Sequence, residues 1–158
     1  MKQTIENNKK FAKFMGYVYV PYSKDNVLKP GYWTKARVEE NKVYPGKIEY
    51  VGYLCRKHEE LAFHLDWEWL MEVVEKIERL DCREFSYSWI NMDNEIEYNF
   101  YFPCVHIEKD DCQIYFDLTL DPPLYIADEQ EESKKEAVYK AALKFIDWYY
   151  ENENNNKG

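Results

Sequence analysis

Residues 66–80 read DWEWLMEVVEKIERL, and this stretch decides the fold class because its apolar residues recur at spacings of three and four. That period is typical of an amphipathic α-helix with one buried side. The apolar positions are Trp67, Leu70, Met71, Val74, Ile77 and Leu80. Asp66 is placed to cap the helix, since its carboxylate can accept hydrogen bonds from the first free backbone N–H groups. The stretch therefore predicts a helix packed against another layer of the protein.

Two further helices are predicted near the ends of the chain. The first runs from Thr4, the proposed N-cap, to Met15, and Gly16 is placed to end it. The last begins with the capping-box pattern Ser133–Glu136 and carries an apolar stripe through Tyr150. Together with residues 66–80, these segments predict three helices.

Between the second and third helices the apolar period changes from 3.6 to 2. Apolar and polar residues alternate from Phe85 to Phe102 and from Cys112 to Leu118, with Val105 and Ile107 between these stretches. Short polar turns connect the segments, which indicates an antiparallel meander. The predicted fold class is α+β, with an antiparallel three- to five-stranded meander sheet covered on one face by three helices.

The remaining segments are assigned from weaker signals. Tyr17–Val20 and Ile48–Leu54 are predicted to add strands to the sheet, and Ser23–Lys47 to form a long surface excursion. The acidic run Asp128–Glu132 is predicted to link the sheet to the last helix. With 158 residues, the chain fits one domain, predicted over 1–150, and the polar residues 151–158 are predicted to form a disordered tail.

Composition and charge restrict the cellular location and the class of partner that the sequence predicts. No apolar run approaches the roughly 20 residues of a membrane span, and the polar start lacks a secretion signal, so we expect a cytoplasmic protein with no membrane contact. The four cysteines are then predicted to be free thiols. A net charge of −9 disfavours direct binding of nucleic acid and favours a protein partner.

Two Cys/His pairs are candidate metal ligands. Cys55 and His58 have a Cys-x-x-His spacing, and Cys104 and His106 share one strand face, so together they offer four ligands for a tetrahedral zinc ion. The alternative is that Cys104 packs on the sheet and His58 lies in a charged loop. His64, near Asp66, is a candidate general base, although no cysteine nucleophile can be placed beside it. The sequence implies no cofactor.

Aromatic residues crowd the N-terminal half. Tyrosine and tryptophan are enriched at recognition surfaces because they combine a large apolar area with a polar group. The crowding predicts a binding surface, with packing of a long loop as the alternative. Its candidate residues are Tyr17, Tyr19, Tyr22, Tyr32, Trp33, Tyr44, Tyr50 and Tyr53.

Three segments carry a resemblance to a known group of proteins. They are residues 7–16 (NNKKFAKFMG), 64–78 (HLDWEWLMEVVEKIE) and 135–149 (KEAVYKAALKFIDWY), about a quarter of the chain. They resemble small proteins encoded by bacteriophages and prophages, a group with no assigned activity. The resemblance implies a cytoplasmic accessory protein of the phage–host sphere and transfers no functional residue. Tyr17–Leu61 departs from the shorter members of that group.

Three hypotheses of function stay open at this level. The leading one is a non-enzymatic phage or prophage accessory protein that binds a host or phage protein through an aromatic, acid-rimmed surface. The second is a small metal-dependent or Cys/His enzyme, although the sequence contains no catalytic motif. The third is an acidic DNA mimic that inhibits a nucleic-acid-binding host factor.

Overall fold

The computed structural model of the chain describes residues 2–20, 32–40, 48–57, 60–82, 86–91, 94–99, 102–116 and 124–156. Its internal contacts group into two compact units, Met1–Ala62 and Phe63–Gly158. The α+β class is confirmed, with three helices and antiparallel sheets among the described residues. One domain over 1–150, and one sheet covered by all three helices, stay predictions.

The first unit contains one helix and one antiparallel sheet. Helix α1 spans Lys2–Phe14, and strands β1 (Val18–Val20), β2 (Tyr32–Glu40) and β3 (Ile48–Arg56) pair in the order β1-β2-β3. Ser23–Lys47 was predicted to form a surface excursion, and this prediction is wrong for Tyr32–Glu40, which form β2. Pairing with strands on both sides supplies β2 with the hydrogen bonds that its mixed, charged sequence did not signal.

Two residues were predicted to mark the ends of α1, and the structure confirms Gly16 but not Thr4. The helix begins at Lys2, so Thr4 lies inside it and is not its N-cap. Gly16 has a φ of 83°, in the left-handed region that commonly ends a helix. Glycine adopts this conformation without strain because it has no Cβ. The backbone N–H of Tyr17 then donates to the carbonyl of Ala12 at 2.8 Å, which closes the helix end.

The described residues of the second unit form two helices and five strands. The helices are α2 (Trp67–Glu78) and α3 (Lys134–Asn156). The strands are β4 (Ser86–Asn91), β5 (Asn94–Asn99), β6 (Pro103–Glu108), β7 (Asp111–Phe116) and β8 (Leu124–Gln130). β4 and β5 form a hairpin, and β6, β7 and β8 form an antiparallel sheet in that order.

Helix α2 follows its sequence signals closely. Asp66 Oδ1 accepts hydrogen bonds from the backbone N–H groups of Glu68 at 2.9 Å and Trp69 at 3.3 Å. The buried side is formed by Leu70, Val73, Val74 and Ile77. Trp67, which the apolar pattern placed on this side, is exposed because it lies in the first turn, beyond the part of the helix that packs.

Helix α3 packs on the sheet of β6, β7 and β8 and contacts α2. Its buried residues are Ala137, Val138, Ala141, Ala142, Phe145 and Ile146. Lys144 forms an ion pair with Glu129, and Lys140 Nζ lies 2.6 Å from Glu131 Oε1, so two lysines tie the helix to β8 and its end.

Two sequence-based boundaries around α3 are wrong. The acidic run at Asp128–Glu132 is not a linker throughout, since β8 extends to Gln130. The chain beyond Tyr150 was expected to leave the helix, but α3 continues to Asn156. In the added turn, Asn152 Nδ2 donates to the Trp148 carbonyl at 2.8 Å, which ties this side chain to the preceding turn of the helix.

Asp66→Ala is expected to lower the free energy of unfolding by about 1 kcal/mol, since two N–H groups of α2 lose their acceptor. Urea denaturation followed by circular dichroism measures the loss. Asp66→Asn, which keeps an acceptor oxygen, is the matched control and should lose much less. Equal stability of the alanine variant and the unmutated protein would contradict the capping role.

Candidate functional site

The sheet of β6, β7 and β8 has two chemically different faces. On β7, Cys112, Ile114 and Phe116 are buried, and Phe116 meets Trp148 of α3 with 5.5 Å between ring centroids. Because side chains alternate along a strand, Asp111, Gln113 and Tyr115 point to the other side. The first face is the inner one, under α3, and the second is open to solvent.

Strand register places nine residues on the open side, which we call the outer sheet face. They lie in three rows across the strands. The rows are Cys104–Tyr115–Tyr125, His106–Gln113–Asp128 and Glu108–Asp111–Gln130. The face therefore has an aromatic end and an acidic end.

The aromatic end is set by an irregularity in β8. The pairing shifts between Ile114, opposite Ala127, and Tyr115, opposite Tyr125, so Ile126 is an extra residue on β8. This bulge lets Tyr125 and Asp128, three positions apart, share the outer sheet face. The rings of Tyr115 and Tyr125 lie 5.5 Å apart at 52°, and Tyr125 is 45% exposed. We call these two residues the aromatic pair.

The other two rows carry hydrogen bonds and negative charge. Gln113 Nε2 donates to Asp128 Oδ1 at 3.3 Å across β7 and β8. His106 Nε2 lies 3.2 Å from Glu108 Oε1 along β6. Three of the nine residues are acids and none is lysine or arginine. The outer sheet face is thus an aromatic surface bordered by carboxylates.

The proposed zinc ligands are described only in part. Cys104 and His106 lie in neighbouring rows of the outer sheet face. Cys55 lies in β3, and His58 lies outside the described residues. Within the described ranges, no group of three or more His, Cys, Asp or Glu side chains is arranged to hold a metal ion. The four-ligand zinc site therefore stays a prediction.

The predicted aromatic surface of the N-terminal half is also described in part. Tyr17 and Trp33 are buried, and Tyr19 is 38% exposed with its ring 5.5 Å from that of Trp33. β1 pairs with β2 here, which packs these rings within the unit. Tyr32, Tyr50 and Tyr53 lie in strands, while Tyr22 and Tyr44 lie outside the described residues. The surface stays a prediction, with Tyr19 as its exposed member among the side chains that the structure describes.

Tyr115 and Tyr125 were not predicted as functional residues, and Asp128 was predicted only as the start of an acidic linker. The alternation along β7 would have predicted that Tyr115 points to the outer sheet face, because it lies between the buried positions Ile114 and Phe116. Tyr125 and Asp128 had no such signal, because β8 was not predicted and a bulge cannot be read from apolar spacing.

Two buried thiols are unsuited to nucleophilic chemistry. Burial, with Asp81 nearby, raises the pKa of Cys82 to about 12. Burial, with Asp111 and Glu129 nearby, raises the pKa of Cys112 to about 12. The thiolate is the reactive form, so both groups are inert at neutral pH. Cys82, Cys104 and Cys112 are free thiols, as the sequence predicted.

Iodoacetamide is expected to alkylate Cys104 in the folded protein and to leave Cys82 and Cys112 unmodified at neutral pH. Cys104 is half-buried at the edge of the open face, whereas the other two thiols are fully buried. Peptide mass spectrometry measures the extent at each cysteine. Protein unfolded in guanidinium is the control and should be modified at all three. Rapid native modification of Cys112 would contradict its burial.

His64 lies two residues before Asp66, the N-cap of α2, and near Tyr139 of α3. Burial, followed by the positive charge of Lys135, lowers its pKa below 6.5. Lys135 Nζ also donates to the Leu65 carbonyl at 3.0 Å, and the imidazole ring lies 6.5 Å from that of Tyr139. Asp66, the proposed partner of a general base at His64, uses Oδ1 to cap α2.

Acidification is expected to destabilise the fold through His64. Its folded-state pKa is below the unfolded value of 6.5, so its contribution to stability is present above pH 6.5 and is lost as the pH falls through the folded-state pKa.

Lys135→Met should raise the pKa of His64 while leaving it below 6.5, because burial persists. An NMR titration of the imidazoles, assigned with His64→Gln, measures this; an unchanged pKa would exclude the influence of Lys135.

Comparison of the chain with protein-family models, with curated proteins and with solved structures finds no match. Among the described residues, no helix has both the length and the apolar character needed to cross a bilayer.

Proposed function

We propose that the chain is a non-enzymatic accessory protein that binds a protein partner, and that the outer sheet face is its binding surface. The observation that carries this proposal is the aromatic pair, in which Tyr125 is exposed and Tyr115 is half-buried, flanked by carboxylates on the side of the sheet that α3 leaves open. Tyrosines of this kind supply a large contact area with few rotatable bonds, so little conformational entropy is lost on binding.

The sheet beneath the pair supports this assignment. β7, the central strand, is paired on both sides, and its inner face is buried under α3. The aromatic pair therefore stands on a backbone that is already ordered, which lowers the cost of forming an interface. Phe102, 51% exposed just before β6, extends the apolar area at the same end of the strand.

The proposal has a second part, which concerns the origin and the cellular location of the protein. We infer a cytoplasmic protein of phage or prophage type whose partner is a host or phage protein. Support comes from the resemblance of residues 7–16, 64–78 and 135–149 to small phage and prophage proteins. The acidic net charge of −9 adds support, because it disfavours nucleic acid as the direct partner.

Site-specific photo-crosslinking tests the surface directly. Benzoylphenylalanine replaces Tyr125 on the outer sheet face, Tyr19 in the N-terminal aromatic region, or Glu151 on the exposed side of α3. After irradiation in cells that encode the chain, position 125 is expected to give a discrete protein adduct, because the aromatic pair lies at the centre of the proposed contact. Denaturing gels and mass spectrometry identify the adduct.

Glu151 is the control, since it is exposed and lies in a different element. The adduct at position 125 should disappear when Tyr115→Ser is added and persist when Glu68→Gln is added. An adduct at position 19 alone would move the binding surface to the N-terminal half and overturn the assignment. No adduct at any position would overturn the binding function.

A further inference from the structure

We propose that the outer sheet face binds an arginine-bearing linear segment of the partner. This inference rests on the proposed function and names the chemistry of the partner. It follows from three properties of the face, namely its charge, the position of its rings relative to its carboxylates, and its size.

The charge of the face selects a cation. Glu108, Asp111 and Asp128 are its charged residues, and no lysine or arginine stands among the nine positions to neutralise them. The turn between β6 and β7 adds Lys109 and Asp110, which offset each other. His106 is held beside the Glu108 carboxylate at 3.2 Å. A basic segment is therefore attracted and an acidic one repelled.

The arrangement of the rings favours arginine over lysine. Neighbouring rows on one face of a strand are roughly 7 Å apart, so the aromatic row lies one step from the row that carries Asp128. A planar guanidinium can stack on a tyrosine ring and donate two parallel hydrogen bonds to a carboxylate, whereas an ammonium is a point charge. Asp128 Oδ1 already accepts from Gln113, which fixes the orientation of the carboxylate.

The size of the face fits a segment better than a folded surface. Three strands and three rows span roughly 10 by 14 Å between the outermost Cα positions. A standard interface between folded proteins needs about 800 Å² from each partner, more than nine side chains of this kind offer. An extended segment that lies along the strands meets both the aromatic and the acidic ends.

Binding of defined peptides tests this chemistry. The probe is a fluorescein-labelled nonapeptide in which arginine alternates with leucine, and its matched versions carry lysine or glutamate in place of arginine. Fluorescence anisotropy at low salt is expected to give the tightest binding with arginine, weaker binding with lysine and none with glutamate. The arginine affinity should fall as salt rises, because the contact is electrostatic and exposed.

Variants locate the binding on the face. Glu108→Gln with Asp128→Asn should raise the Kd of the arginine peptide by about tenfold, whereas Glu68→Gln with Glu72→Gln, an equal charge change on exposed positions of α2, should raise it by less than about twofold. Tyr125→Leu should raise the Kd by about fivefold and Tyr125→Phe should not, because phenylalanine keeps a ring face. Thermal unfolding of each variant confirms that the fold is retained.

The outcomes separate this inference from the proposed function. Equal effects of the two double variants would mean that the peptide senses only net charge, and the inference fails. An unchanged affinity in Tyr125→Leu, or equal binding of the arginine and lysine peptides, also overturns it. If position 125 still crosslinks to a protein while these peptide results fail, the binding function stands and only the arginine chemistry is lost.

Discussion

The structure of the second unit depends on one packing constraint, the close approach of α3 to the inner face of the sheet. Ala137, Ala141 and Ala142 of α3 are fully buried, and small side chains let a helix backbone approach its neighbours closely. Phe145 of α3 and Phe116 of β7 both pack against Trp148, each with 5.5 Å between ring centroids. Because this core is closely packed, a slip of one residue along β7 would replace the buried side chains of Cys112 and Ile114 with those of the polar residues Asp111 and Gln113.

That constraint explains why the outer sheet face exists in its observed form. Without the bulge, Tyr125 would share a side with Ala127 and Glu129 and would be directed under α3, where small residues leave little room for a ring. The extra residue, Ile126, keeps Ala127 inside and turns Tyr125 outward beside Tyr115. The inner packing therefore fixes which positions reach solvent, and the aromatic pair is one consequence.

The spacing of apolar residues in the sequence was sufficient to predict helices and strands that bury one side. α2, α3 and β7 belong to this class, and their buried residues agree largely with the spacing in the sequence. β2 and β8 were missed because their charged residues mask the alternation, and in β8 the bulge interrupts it. Cys104 and His106 were placed correctly on one strand face. Tyr125 was beyond sequence analysis, since its orientation depends on the bulge.

Packing dictates the position of Tyr125 but not its identity. A solvated position opposite a buried strand face is satisfied by threonine, lysine or glutamine, and the neighbouring outward residues Gln113 and Gln130 show that polar side chains fit there. Tyr115 and Tyr125 lie directly opposite each other on neighbouring strands, and an aromatic pair of this kind stabilises a sheet by roughly 0.2–1 kcal/mol. Tyr125 nevertheless keeps apolar area in contact with water, which gives the isolated unit no benefit. The same area is favourable once a partner covers it. The proposed binding function accounts for this exposed area, which the pairing of the two rings does not require.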